Sequence, residues 1–297
     1  MTRIARFAWF TLVFNVGVIV FGGFVRASGS GAGCGRSWPA CQGQLLPEFE
    51  GATRVEYLHR LSSVVAYVFV ALLTVAVWRN MAKRHPARAG ALVSLVSITV
   101  EALIGASIVF FEWVADDTSA ARVVAVPLHL VNTLLLLAAL TVTAFWLSGG
   151  RRLSPSSKPM MWRWVIVGGI ALVLLAATGA VTALADTLFP KDGSGLEGSG
   201  EAHFLTDLRM VHPLLAIVAA SIGWWASSRV EGPRPPTAKV LPALVGAMIL
   251  TGSLNILLGV PVWMQLVHLL LADALWIAYV LASAQALQVP AEVNQPV

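Results

Sequence analysis

Long apolar runs, rather than any single motif, set the strongest limit on how this chain can fold. Eight runs can be marked, at about 8–26, 56–78, 89–111, 122–147, 162–184, 208–228, 239–258 and 262–287. An α-helix crosses the hydrocarbon layer of a membrane with about 20 apolar residues, and it satisfies its own backbone hydrogen bonds there. The sequence therefore predicts an all-α integral membrane protein with eight transmembrane helices.

The charged residues support this class and argue against a nucleic-acid-binding protein. Only 12% of the 297 residues are charged, compared with about a quarter in soluble domains. The net charge is +5, but the basic residues lie in short loops between apolar runs, as topology signals do. The first run follows Arg3 and Arg6, as in a signal peptide. Since no small-residue cleavage site follows it, we expect it to persist as a helix.

The distribution of charge also predicts an orientation. If the N-terminus is cytoplasmic, most of the 20 lysine and arginine residues lie on the cytoplasmic side and most acidic residues lie outside. This pattern predicts a multi-pass protein of the cell membrane with both termini in the cytoplasm. Cys34 and Cys41 then lie in an outer, glycine-rich loop, where disulfides persist. We predict a disulfide between them, with two free thiols as the alternative.

The second half of the chain repeats features of the first half. Each even-numbered apolar run carries one histidine, namely His59, His129, His212 and His268. The third run contains EALIG at 101–105, and the seventh contains TGSLN at 251–255. Four helices followed by four similar helices predict a parallel repeat. We expect two pseudo-symmetric four-helix bundles, formed by residues 1–150 and 151–297.

The four histidines are the candidate binding residues. Ionisable residues inside a membrane are costly and tend to be functional, and imidazoles that face each other in a four-helix bundle can bind a haem iron from both sides. The predicted pairs are His59 with His129 and His212 with His268. The alternative is that each histidine is a hydrogen-bonded packing residue. Zinc is less favoured because no cysteine or carboxylate supplies a third ligand in both halves.

Charged residues near the histidines break the repeat. Glu56 lies three residues before His59 and on the same helix face, whereas Arg209 lies three residues before His212. Glu56 is a candidate proton-transfer group. Its alternative role is that of a carboxylate favoured by the dipole at a helix N-terminus. Arg60, Arg122 and Arg209 are candidates to bind haem propionates, and contact with lipid headgroups is the alternative.

Two deeper acids have no assigned role from the sequence. Glu101 and Asp273 can serve a proton path or hydrogen-bond a neighbouring helix. Asn132 and Asn255 are most simply interhelical polar contacts.

The outer loop and the start of the second run resemble a known family. The segment GGFVRASGSGAGCGRSWPAC at 22–41, followed by EYLHR at 56–60, is similar to bacterial haem A synthase, and the resemblance extends over essentially the whole chain. It implies oxidation of a methyl group of haem O to the formyl group of haem A, the cofactor of terminal oxidases. Successive hydroxylations of one carbon would give a gem-diol that loses water.

The resemblance also implies roles for particular residues. His212 and His268 would bind a haem b cofactor, while haem O would occupy the first half near His59, His129 and Arg60. Glu56 matches an essential glutamate of the family. Cys34 and Cys41 match its loop disulfide pair, and a second pair found in some members between the fifth and sixth helices is absent here.

Several points stay open in the sequence. The implied partners are an enzyme that makes haem O and an electron donor, and self-association is an open alternative. The donor and the oxygen source are not identified. A di-haem b-type cytochrome for electron transfer, or a haem carrier without chemistry, would use the same histidines. The Glu56/Arg209 asymmetry favours an enzyme, because two equal relay haems need no lone acid.

Overall fold

The computed structural model describes residues 1–189, 205, 208–228 and 235–289. Within these residues the chain forms eight α-helices: α1 (Arg3–Ala27), α2 (Gly51–Asn80), α3 (Ala87–Phe110), α4 (Ala120–Leu147), α5 (Pro159–Leu188), α6 (Val211–Ser228), α7 (Leu241–Leu257) and α8 (Val262–Leu287). Short 3-10 helices lie at Ser30–Ala32, Pro155–Ser157 and Pro236–Lys239. The helical class predicted from the apolar runs is confirmed.

The described helices include 7 that are long and apolar enough to cross a membrane. For α7, this span includes the preceding 3-10 helix and runs from Thr237 to Leu257. The remaining helix is α6, whose apolar part at Val211–Ser221 is shorter than a full span. The chain is therefore a multi-pass helical membrane protein. The exact number of eight crossings and the symmetry of two bundles remain predictions.

Several helices extend beyond the predicted apolar runs. The largest difference is in α2, which begins at Gly51 rather than at 56, because its first turns are polar and hydropathy marks only the part of a helix that suits hydrocarbon. His59 therefore lies about 12 Å along α2, by the rise of about 1.5 Å per residue. Glu56 is in the second turn. This position weakens the helix-dipole interpretation of Glu56, because that effect falls off within the first turn.

The main core joins α1, α2, α3 and α4. Ala5 and Ala8 of α1 are fully buried and pack in the same cluster as Leu73 of α2 and Leu137 and Leu140 of α4. Small residues at such an interface allow close approach of the helix backbones, which is how helices associate without a hydrophobic driving force in lipid.

Polar contacts made by Trp276 and Arg26 connect the halves of the chain. The Trp276 indole N–H of α8 donates to the Leu134 carbonyl of α4 at 2.7 Å. Arg26, at the end of α1, donates to the Ala183 carbonyl and the Thr187 hydroxyl of α5 at 2.6 Å each, and to Gln265 Oε1 of α8 at 2.9 Å. The guanidinium thus holds the ends of α1 and α5 and the start of α8 together.

The glycine-rich loop after α1 folds against the start of α2. Cys34 and Cys41 are joined by a disulfide and are both buried, so the predicted pairing is confirmed. The Thr53 hydroxyl donates to the Gly33 carbonyl at 2.8 Å, and the Tyr57 hydroxyl donates to the Leu45 carbonyl at 2.8 Å. The first turns of α2 therefore carry the disulfide loop.

Gly33 is required by this close packing, and its replacement by alanine should destabilise the protein. A Cβ atom at Gly33 would lie 2.4 Å from the Ala52 carbonyl carbon and 2.5 Å from the Thr53 nitrogen, and backbone atoms cannot yield as a flexible side chain can. We expect Gly33→Ala to lower the free energy of unfolding by about 1–3 kcal/mol, measured as a lower Tm in detergent. Gly31→Ala is the control, since its Cβ would meet only Val114 at 3.6 Å. Equal Tm values for the two variants would contradict the prediction.

Candidate functional site

All four predicted haem-binding histidines line one cavity of about 3030 Å³ that extends among helices of both halves. Its lining also includes Glu56, Arg60, Glu101 and Asp273, as well as Arg26, Arg122 and Arg209. Ordinary small-molecule pockets enclose about 300–1,000 Å³. The cavity thus has room for large ligands, and the polar residues singled out in the sequence face the same space.

His212 and His268 form the closer of the two predicted pairs. Their ring centres are 6.4 Å apart and the ring planes are nearly perpendicular, at 85°. Two imidazoles that bind one metal ion from opposite sides, at about 2 Å per bond, have ring centres roughly 6–6.5 Å apart. The spacing of this pair therefore fits a single metal ion between the rings, as in a haem with two histidine ligands.

Both rings of this pair are held from behind by the preceding helix. Nδ1 of His212 lies 3.1 Å from the Leu175 carbonyl of α5, and Nδ1 of His268 lies 3.0 Å from the Thr251 hydroxyl of α7. A partner at Nδ1 fixes the ring orientation and the tautomer, which leaves Nε2 as the ligand atom. These second contacts were not anticipated from the sequence, although Thr251 lies in the repeated segment 251–255.

Each histidine also packs against a glycine of the preceding odd-numbered helix. The distance from a Cβ built at each glycine to the nearest ring atom is short in every case: Gly22 to His59 at 3.0 Å, Gly105 to His129 at 3.7 Å, Gly179 to His212 at 3.0 Å and Gly252 to His268 at 3.3 Å. The glycines allow each imidazole to lie close to a neighbouring backbone. A glycine in each odd-numbered helix is the sequence signal from which these contacts could have been predicted.

The first-half pair is less regular. His59 and His129 form no comparable ring-to-ring contact. Nδ1 of His129 lies 2.8 Å from Oε1 of Glu101 on α3, with the oxygen away from the ideal hydrogen-bond direction. Nδ1 of His59 is buried and has no hydrogen-bond partner among the described residues, and the Phe21 ring approaches His59 edge-on at 5.6 Å. One ring of this pair is thus paired with a carboxylate, and the other lacks a polar anchor.

Glu56 connects α2 to the disulfide loop. Its side chain is buried, and Oε2 accepts a hydrogen bond from the Cys34 backbone N–H at 2.7 Å. Oε1 accepts from Arg60 Nε at 3.1 Å and also from Arg60 Nη2. Arg60 in turn donates from Nη1 to the Ser37 carbonyl at 2.5 Å and the Ala40 carbonyl at 2.8 Å. Glu56 and Arg60 therefore hold the disulfide loop in place at the end of the cavity where His59 lies.

The other candidate propionate-binding arginines differ in how their charge is compensated. Arg122 is buried, and its Nη1 donates to the backbone carbonyls of Ala115 at 2.6 Å and Asp117 at 2.8 Å. The carboxylates of Asp116 and Asp117 lie near enough to interact with its charge. Arg209 forms an ion pair with Asp186 at 3.0 Å. Because the direct contacts of Arg122 are with neutral carbonyls while Arg209 contacts a carboxylate, Arg122 is better placed than Arg209 to bind an additional anion.

Three further polar residues considered in the sequence, Asn132, Asn255 and Asp273, differ in whether they have a partner. Asn132 of α4 donates to the Ser97 carbonyl of α3 at 2.9 Å, which confirms an interhelical contact. Asp273 is only 1% exposed. Its Oδ2 and the Asn255 Oδ1 have no hydrogen-bond partner among the described residues. Among the described residues, no group of three or more histidine, cysteine or acidic side chains could hold a metal ion.

Comparison with known proteins gives matches of different extent. The family model COX15-CtaA, described as a cytochrome oxidase assembly protein, matches residues 5–54 and 46–280. A Thermus thermophilus protein named Protoheme IX farnesyltransferase is 43% identical over 299 residues, which cover 97% of this chain and 49% of that protein. Heme A synthase of Bacillus pumilus is 35% identical over 95 residues, 32% of this chain and 31% of that enzyme. The Listeria welshimeri Heme A synthase is 35% identical over 91 residues, 30% of each chain.

The matched proteins differ in name and in coverage. The chain spans about half the length of its Thermus relative, and its similarity to the two named heme A synthases covers about a third of each chain. The family model, in contrast, covers nearly the whole chain. The chain therefore belongs to the COX15-CtaA family of cytochrome oxidase assembly proteins.

Proposed function

We propose that this chain is a haem A synthase, a membrane oxidoreductase that oxidises a methyl group of haem O to a formyl group and so makes haem A for terminal oxidases. Membership of the COX15-CtaA family and the similarity to named heme A synthases support the pathway. The observation that carries the proposal is the unequal construction of the two histidine pairs, one anchored on both sides and the other flanked by carboxylates.

The second half, residues 151–297, is proposed to hold a resident haem b on His212 and His268. The ring spacing of 6.4 Å and the two Nδ1 contacts support fixed axial ligation. A haem with two histidine ligands supplies reversible one-electron transfer when bound. The task of the protein here is to hold both imidazoles in one orientation, so that little rearrangement accompanies a change of charge.

The first half, residues 1–150, is proposed to receive haem O near His59, His129 and Arg60. Glu56 lies at the outer end of this part of the cavity and has no acidic counterpart in the second half, where Arg209 stands. We assign Glu56 the catalytic role of holding or moving a proton at the substrate periphery. Arg122, whose direct contacts are neutral carbonyls, is the stronger candidate for a propionate, and Arg209, which contacts a carboxylate directly, is the weaker one.

The orientation proposed for the protein follows from its basic residues. Both termini are assigned to the cytoplasm of a cell-membrane protein, which places the Cys34–Cys41 loop outside. An oxidising outer compartment suits that disulfide.

A partnership with the enzyme that makes haem O is supported by the Thermus relative. In that protein a sequence similar to this chain is joined to about as much additional chain, under the name Protoheme IX farnesyltransferase. Two consecutive steps on a poorly soluble haem would benefit from such proximity. An electron donor or acceptor is a further implied partner.

The name of the Thermus relative also suggests a second function, farnesyl transfer by this chain itself. Transfer from a prenyl diphosphate ordinarily relies on Mg²⁺ held between phosphates and carboxylates. The described residues contain no cluster of three or more potential metal ligands. We therefore assign that named activity to the part of the relative that this chain does not match.

Pigment analysis separates these possibilities. The full chain is expressed in cells that supply haem O, purified in detergent, and its extracted haems are identified by chromatography and mass. We expect hydroxylated and formyl haem in addition to haem b. Unmodified haem O alone, with two b-type spectra, would indicate an electron carrier. Formation of haem O from haem b and farnesyl diphosphate would indicate a transferase.

A further inference from the structure

We propose that Glu101 is a positioning residue that makes His129 the fixed and more electron-donating ligand of the substrate haem, while His59 is the exchangeable ligand on the opposite face. This inference rests on the proposed function and adds to it a division of labour within the first histidine pair. It follows from how the rings are held, which differs among the four histidines.

The carboxylate of Glu101 is surrounded by donors from a single stretch of α4. Its Oε2 accepts from Asn132 Nδ2, its Oε1 accepts from the Thr133 hydroxyl, and Oε1 also lies 2.8 Å from His129 Nδ1. Thr133 further donates to the His129 backbone carbonyl at 2.9 Å. These contacts hold the carboxylate beside Nδ1, and a small rotation of the ring would complete a hydrogen bond to it.

In the second half, an uncharged residue takes the place that Glu101 has in the first half. Glu101 opens the repeated segment 101–105, and Thr251 opens the corresponding segment 251–255. Thr251 lies 3.0 Å from His268 Nδ1, and Glu101 lies 2.8 Å from His129 Nδ1, so the first residue of each segment stands beside the histidine of the following helix. A carboxylate in place of a hydroxyl raises the basicity of the imidazole it supports and strengthens its bond to a metal.

His59 completes the contrast. Its Nδ1 has no hydrogen-bond partner among the described residues, and its neighbours are the Phe21 ring and Gly22. Without a second contact at Nδ1, no hydrogen bond fixes the orientation of the ring, and its bond to iron is not reinforced. A substrate haem has to enter and leave, and a site with one firm ligand and one weak ligand permits this better than two firm ligands.

The test compares Glu101→Gln and Glu101→Thr with wild type in the full-length protein loaded with ferric protoporphyrin, so that binding is measured without conversion. Glutamine keeps the shape of the Glu101 side chain but removes its charge. Threonine introduces the side chain that Thr251 supplies in the second half. We expect first-half haem affinity to fall about 10- to 100-fold and its midpoint potential to become more positive. The absorption of the haem on His212 and His268 should not change. His59→Ala should weaken first-half binding less than His129→Ala does.

Gly90→Ala is the packing control, because its Cβ would meet the Thr143 hydroxyl at 2.3 Å and disturb the same α3–α4 contact away from the histidines. An unchanged potential in Glu101→Gln, or the same shift in Gly90→Ala, would overturn the positioning role. The positioning role would also be overturned if the wild-type protein bound haem in the second half alone. Wild type that binds two haems but converts no haem O would overturn the proposed function and leave the Glu101 comparison decisive.

Discussion

Glu56→Gln is expected to reduce the conversion of haem O by about 10²–10⁴-fold, the range that proton transfer by a positioned side chain contributes. Glutamine is nearly isosteric, and its carbonyl oxygen can still accept the Cys34 N–H that Glu56 accepts at 2.7 Å. The substitution therefore removes the charge beside Arg60 and the ability to move a proton, while the loop keeps its attachment. Product formed per bound haem O, measured by mass, gives the effect.

The matched control separates catalysis from loop attachment. Thr53→Val deletes the hydroxyl that donates to the Gly33 carbonyl and leaves Glu56 and Arg60 in place. The same hydroxyl accepts from Gln42 Nε2 at 3.2 Å, so two partly exposed hydrogen bonds are lost. We expect the variant to lower the Tm slightly and to change conversion by less than about threefold. If Thr53→Val and Glu56→Gln reduce conversion equally, Glu56 acts through the loop and not as a proton-transfer group. Loss of the second-half haem spectrum in Glu56→Gln would contradict the separation of the two sites.

Hydropathy was sufficient to predict the helices because lipid restricts the chain to a few structures. All eight apolar runs are helical in the described residues, and α8 has the predicted bounds of 262–287. The early start of α2 was missed because polar turns at the membrane surface carry no hydropathy signal. That shift matters for function, since it moves Glu56 from a helix end to a buried position under the disulfide loop.

Residue identity and repeat register predicted which side chains share the cavity, but not their partners. The four histidines line one space, whereas their positions on alternate helices predicted two pairs, one in each half. The contact between Glu101 and His129 depends on how α3 and α4 are rotated about their axes, and a single sequence does not specify that rotation. The same holds for Arg26, which was counted only as an outer charge and in fact connects three helices.

Replacing His212 or His268 with alanine is expected to remove the resident haem b. Loss of a residue that only supports a metal ligand typically costs 10- to 100-fold in metal affinity, so loss of the ligand itself should exceed this. We expect the purified His212→Ala and His268→Ala proteins to retain less than about a tenth of the wild-type haem b, with no detectable conversion. The haem content is measured by pigment extraction and absorption.

Two comparison variants, Thr251→Val and Gly246→Ala, test whether the loss of haem b is specific to the two ligand histidines. Thr251→Val removes the contact 3.0 Å from His268 Nδ1 and the hydroxyl's bond within the helix to the Ala247 carbonyl, but leaves the ligand ring in place. Its haem affinity should therefore fall by the smaller factor of about 10–100. Gly246→Ala, on the same helix, adds a Cβ with nothing within 4 Å and should leave the haem spectrum as in wild type. Added imidazole should restore part of the spectrum in His268→Ala, because the truncated side chain leaves room for a free ring opposite His212. Full haem b content in either alanine variant would show that these histidines are packing residues.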